Sequence, residues 1–129
     1  MSTNILSAFN DHFVEFISDV QKVFPEDASL LTAKNSLLMI RKANPKMILK
    51  IWKQHIVDMY LVQIESGDLS FFMDKDYTND LSKTEFAGKI MEGIDRLRGP
   101  IKDMTKENQD KTMKYIQNLT KLAILYNTL

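Results

Sequence analysis

Cysteine is absent, so the chain holds no disulfide, no thiol nucleophile and no thiolate-ligated metal. Only three prolines and four glycines occur in 129 residues. Most of them stand between periodic segments, and four scattered glycines cannot make a phosphate-cradling loop. Histidine is limited to His12 and His55. No His-Glu-x-x-His helix can be written, which excludes a zincin-type metal site, and no serine sits in a nucleophile elbow. No apolar run approaches the ~18–20 residues needed to span a bilayer. The start Met1-Ser2-Thr3-Asn4-Ile5 lacks the basic and apolar blocks of a secretory signal. The expectation is a soluble intracellular domain without a catalytic centre or a cofactor.

What is present is ordinary for a globular domain. Hydrophobic residues make up 44% and charged residues 26%, with 17 Lys+Arg against 17 Asp+Glu. That length and balance predict a single folded domain over residues 1–129. The apolar positions recur with the helical period of 3.6, and no stretch alternates with the period of a strand. Residues 5–24 carry Leu6, Phe9, Phe13, Phe16, Ile17, Val20 and Phe24 on one stripe, ended by Pro25. A second helix is expected over 27–42, with Leu30, Leu31, Lys34, Leu37, Leu38 and Arg41 along its sides.

Asn44-Pro45 reads as a cap followed by proline in the first turn, predicting a third helix over 45–66 that stops at Gly67. Its wheel puts Ile48, Ile51, Trp52, His55, Met59 and Val62 on one face, where His55 reads as a core histidine with one satisfied nitrogen in preference to a functional imidazole in a pocket. A short turn at 68–73, a polar connection over 74–84, and helices over 86–98 and 105–127 complete the reading. Gly99-Pro100 ends the first of those two. Gly88 and Gly93 inside it each cost roughly 1 kcal/mol relative to alanine, so close backbone packing is expected there. The eight methionines are spread over separate segments, as core filler would be. The fold class is all-α, a compact bundle of five main helices plus a short turn.

The zero net charge hides four blocks: −3 over 1–40, +4 over 41–64, −4 over 65–85 and +3 over 86–129. Arg41, Lys42, Lys46, Lys50 and Lys53 form the densest basic cluster. As a phosphate-binding face it would serve nucleic acid, but the pI near 6.7 and the lack of interleaved aromatics argue against that. Blocks of opposite sign can also pair between subunits. The run Leu122-Ala123-Ile124-Leu125-Tyr126 is apolar all round, and Leu125, Tyr126 and Leu129 are the expected apolar centre of a protein interface.

The segment 74–85 is similar to the twelve-residue calcium loop of EF-hands, with Asp74, Asp76 and Thr78 at its first, third and fifth positions and Glu85 at its twelfth. Asn79 stands where that loop wants glycine, and the entering helix is short. The competing reading is an acidic interhelical connection whose Asp and Asn side chains supply turns.

The runs Phe9-Asn10, Phe24-Pro25-Glu26-Asp27, Asn44-Pro45 with Trp52, and Phe71-Phe72 with Asp76-Tyr77 resemble small uncharacterised helical proteins of large nucleocytoplasmic DNA viruses of algae and amoebae. That resemblance implies a virion, assembly or accessory component and supplies no catalytic residues. The functional expectation is therefore a non-enzymatic protein-interaction or structural protein, with a protein partner or a second copy of itself. A calcium-binding regulator and a weak nucleic-acid binder are the alternatives.

Overall fold

The structure is a computed structural model that describes residues 2–70 and 85–128, without the side chains of residues 2, 3, 85–89 and 91. It is all-α, with no strand among the described residues. Helix α1 spans Ser2–Val23, α2 Ala28–Ala43, α3 Met47–Trp52, α4 Asp58–Ser66, α5 Glu85–Lys102 and α6 Lys106–Asn127. A π-helical turn, Lys53–Val57, joins α3 to α4 without a break, so the five expected helices correspond to five rods. No helix among the described residues is long and apolar enough to cross a membrane.

Local chemistry explains the boundaries. Asp27 caps α2, its carboxylate accepting from Ser29 N at 2.9 Å and Leu30 N at 3.2 Å. Thr105 caps α6 in the same way, accepting from Asn108 N at 3.3 Å. Gly67 ends α4 with φ 78, the left-handed conformation that favours glycine. Asn44 does not start the third rod. Its N–H instead closes α2 on the Ile40 carbonyl at 2.7 Å, and α3 begins at Met47 after Lys46, which makes no side-chain cap.

The Gly99-Pro100 stop is also overridden, because α5 runs through Pro100 to Lys102. Proline forfeits one backbone bond near the helix end, whereas Ile101 in the next position is fully buried and holds the last turn in the core. Gly93 faces α2 so closely that a Cβ there would lie 3.2 Å from Leu37 Cδ1. That approach is the compensation expected for an interior glycine. The expected turn at 68–73 is described only to Ser70, and residues 71–73 lie outside the described part.

Helix α1 packs along α6 in the opposite direction, and α2 along α5. The third rod touches all four. Trp52 sits at the junction, with ring centroids 6.5 Å from Phe9 and 5.6 Å from Phe13. Leu30, Leu37, Leu49, Ile56, Ile94, Ile116 and Leu119 close around them.

The π turn overturns the wheel drawn for the third rod. A wide turn closed by Asp58 N on the Lys53 carbonyl adds one residue to the helix and rotates everything after it by about 100°. Tyr60, at φ −131 and ψ 23, departs from helical geometry just beyond. The buried face therefore passes from Trp52 to Ile56, Val57 and Ile64. Met59 is 56% and Val62 78% exposed, so neither fills the core, and Met39 on α2 is exposed as well. His55 is half-buried rather than central. Two substitutions check this register by urea denaturation. Ile56→Ala is expected to cost about 2–5 kcal/mol, and Val62→Ala less than about 0.5 kcal/mol.

Candidate functional site

The antiparallel run of α1 against α2 brings the amino-terminal half of one beside the carboxy-terminal half of the other. Two contacts fix the register. Asn10, only 2% exposed, donates from Nδ2 to the Pro45 carbonyl at 2.9 Å. One residue on, Asp11 accepts from Arg41 Nη2 at 2.6 Å. Between the helices lies a groove of about 460 Å³. Leu6, Leu38 and Pro45 form its apolar walls, Ser7 and Asn10 its polar side, and Arg41 and Lys42 its cationic rim.

Asn10 carries one unmet demand, since its Oδ1 is buried and accepts no hydrogen bond. The groove as a whole offers cations and apolar surface, with Asp11 the acid on its edge. Lys46 and Lys50 continue the basic surface past Pro45, both exposed. Lys53 belongs to a different arrangement, because Asp58 of the same rod binds its ammonium. Of the five cations grouped from sequence, two line the groove, two extend it, and Lys53 is drawn off. Ser7 has no imidazole or carboxylate beside it among the lining residues. The arrangement suits binding of a carboxylate next to an apolar side chain.

A second polar cluster joins α1 to α6. The Tyr115 hydroxyl donates to Asp19 and stands 3.1 Å from Glu15 Oε1. His12 lays its ring 4.8 Å from that of Tyr115, with Nδ1 3.9 Å from Glu15. The His12–Glu15 pair is an i, i+3 contact on α1, a local spacing that the sequence does carry. Tyr115 itself is far away in the chain and comes near only through helix pairing. A groove of about 260 Å³ opens beside it, bordered by Lys111, Lys114 and Asn118.

Burial, and then the two carboxylates that want its proton, push the Tyr115 phenol well above its ordinary value of 10.0. It is thus a hydrogen-bond donor rather than a base or nucleophile. An acid held protonated by the fold stabilises it below the unfolded value, and that contribution fades as pH rises past about 10. An ultraviolet titration of the folded protein is expected to show a phenol ionising above the usual range. Tyr115→Phe removes that late step and lessens the loss of stability above pH 10.

The remaining candidates divide by position. The EF-hand-like residues Asp74, Asp76 and Thr78 lie outside the described residues, as does the Glu85 side chain. Among the described residues no group of three or more His, Asp or Glu side chains is placed to hold a metal ion. At the carboxy-terminal end Leu125 is 48% exposed, Tyr126 is partly buried against the core, and Leu129 lies outside the described residues. No protein-family model, curated protein or solved structure matches this chain.

Proposed function

We propose that this chain is a non-enzymatic interaction domain whose α1–α2 groove receives an acidic segment of another protein. The observation that carries the reading is the junction of apolar walls, Leu6 and Leu38, with the Arg41–Lys42 rim on a groove large enough for several side chains. An acidic partner with apolar residues at helical spacing would satisfy both, the charges speeding encounter and the apolar contacts holding the complex. Following the virus resemblance drawn from the sequence, the partner is a component of a particle or of its assembly. Co-fractionation with purified particles checks that part separately.

The groove is tested with a labelled helical peptide carrying Glu and Leu three and four residues apart. Added to the isotopically labelled protein, it is expected to shift the amide signals of Ser7, Asn10, Leu38 and Lys42. Lys42→Glu and Leu38→Asp are expected to remove the effect with the helical circular dichroism unchanged. Shifts confined to other faces would refute the reading. Tight binding of a DNA duplex with a steep salt slope, lost in Lys42→Glu, would replace it by the nucleic-acid alternative.

A further inference from the structure

We propose that the outer stripe of the third rod, opposite its buried face, is a two-fold self-association surface for a second copy of this chain. Its apolar crest belongs to a different element from the α1–α2 groove, although Lys46 and Lys50 border both, and it does not depend on what that groove binds.

Three features meet on this stripe. The first is the crest left by the π turn: Met59 and Val62, apolar and turned to solvent in a rod whose other large apolar residues are mostly buried. The second is a groove of about 240 Å³ between α4 and α6, on the side of the rod that carries Leu61, the chain neighbour of Val62. Leu61, Ile64 and Ile124 supply its apolar lining, and Glu65 and Lys121 stand at its edge with opposite signs. The third is the charge order along the exposed side of the rod. Lys46 and Lys50 lie toward one end and Glu65 and Asp68 toward the other, all exposed, while Lys53 and Asp58 neutralise each other between them.

A two-fold interface uses the same patch on both partners, so the patch must contain both halves of each contact. This one does. Its apolar knob adjoins an apolar hole, and its positive end is matched by a negative end. Met59 stands nine residues after Lys50 and six before Glu65, between the two charged ends of the rod. Two rods laid antiparallel about that point bring each basic end over the other's acidic end and each crest beside the other's groove. Parallel pairing would set like charges together, and a uniformly acidic or basic foreign helix would suit only one end. The second copy is the occupant that suits the whole stripe. The apolar patch is small, so the dimer is weak and concentration-dependent.

Sedimentation equilibrium of the full chain from micromolar to millimolar concentration tests this. A monomer–dimer equilibrium is expected, weakened at least tenfold in Val62→Glu and in Met59→Glu with helical content and thermal midpoint unchanged. Lys50→Glu and Glu65→Lys are each expected to weaken it, and the double variant to restore it, since the swap re-pairs the ends. A wild-type protein that stays monomeric at one millimolar overturns the proposal. So does a dimer indifferent to Val62→Glu, or one disrupted instead by Leu38→Asp in the α1–α2 groove.

Discussion

Trp52→Ala is expected to lower the unfolding free energy by about 3–5 kcal/mol, the range for deleting a large aromatic from a packed interior. The side chain is 0% exposed, and its indole is edge-on to Phe13 and Phe9 at interplanar angles of 87° and 66°. Its Nε1–H donates to Thr120 Oγ1 at 3.4 Å, a long bond worth well under 1.5 kcal/mol. Packing therefore outweighs the hydrogen bond. Trp52→Phe, which keeps most of the ring volume and loses the donor, is expected to cost only about 1–2 kcal/mol. For a domain of this size the alanine change removes a large share of a total of about 5–15 kcal/mol. Urea denaturation followed by far-ultraviolet circular dichroism reads both variants. A loss under about 1 kcal/mol for Trp52→Ala would remove this residue from the centre of the core.

That centre was legible in the sequence on one side and half-legible on the other. Along α1 the expected stripe Leu6, Phe9, Phe13, Phe16, Ile17 and Val20 is buried, because nothing interrupts the helical period; Phe24, past the helix end, is only partly buried, and Asn10 is buried without having been expected. Gly67 was legible as a left-handed cap for the same local reason. The third rod follows its wheel only to Trp52. A π insertion has no compositional mark in Lys53-Gln54-His55-Ile56-Val57; it answers to the core, which buries both Ile56 and Val57. Asn44 and Gly99-Pro100 misled in a related way. Each is a sound local signal, decided by which neighbouring helix uses the backbone group or buries the next side chain. The groove was visible only as charge. Arg41 and Lys42 could be counted from sequence, but their meeting with Leu6 and Asn10 depends on the pairing of α1 with α2, which periodicity does not encode.

The pairing rests on Asn10, and Asn10→Asp is expected to be the most damaging single-atom-scale change in the protein, costing about 3–5 kcal/mol at pH 7. The new carboxylate would lose the Nδ2 donor and face the Pro45 carbonyl with a second acceptor, while its other oxygen takes the buried place of Oδ1. Burial and that carbonyl both disfavour the charge, so the folded protein holds the acid protonated and raises its pKa. In the unfolded chain it ionises near 4. The sign follows. Below about pH 4 the protonated acid can donate to Pro45, and the variant approaches wild-type stability. As pH rises from there toward the folded-state pKa, the unfolded chain releases a proton that the folded one retains, and stability falls. Of the two cations that line the groove with Asn10, Arg41 and Lys42, Arg41 is already engaged by Asp11. A variant no less stable than wild type at pH 7 would mean that Arg41 has left Asp11 for the new carboxylate. Asn10→Leu separates polarity from charge. It deletes the orphaned Oδ1 along with the donor, frees the carbonyl of Pro45, itself an exposed residue, and is expected to cost only about 1 kcal/mol, independent of pH. The difference between the two variants, measured by urea denaturation at pH 4 and pH 7, isolates the cost of placing a charge between α1 and α2.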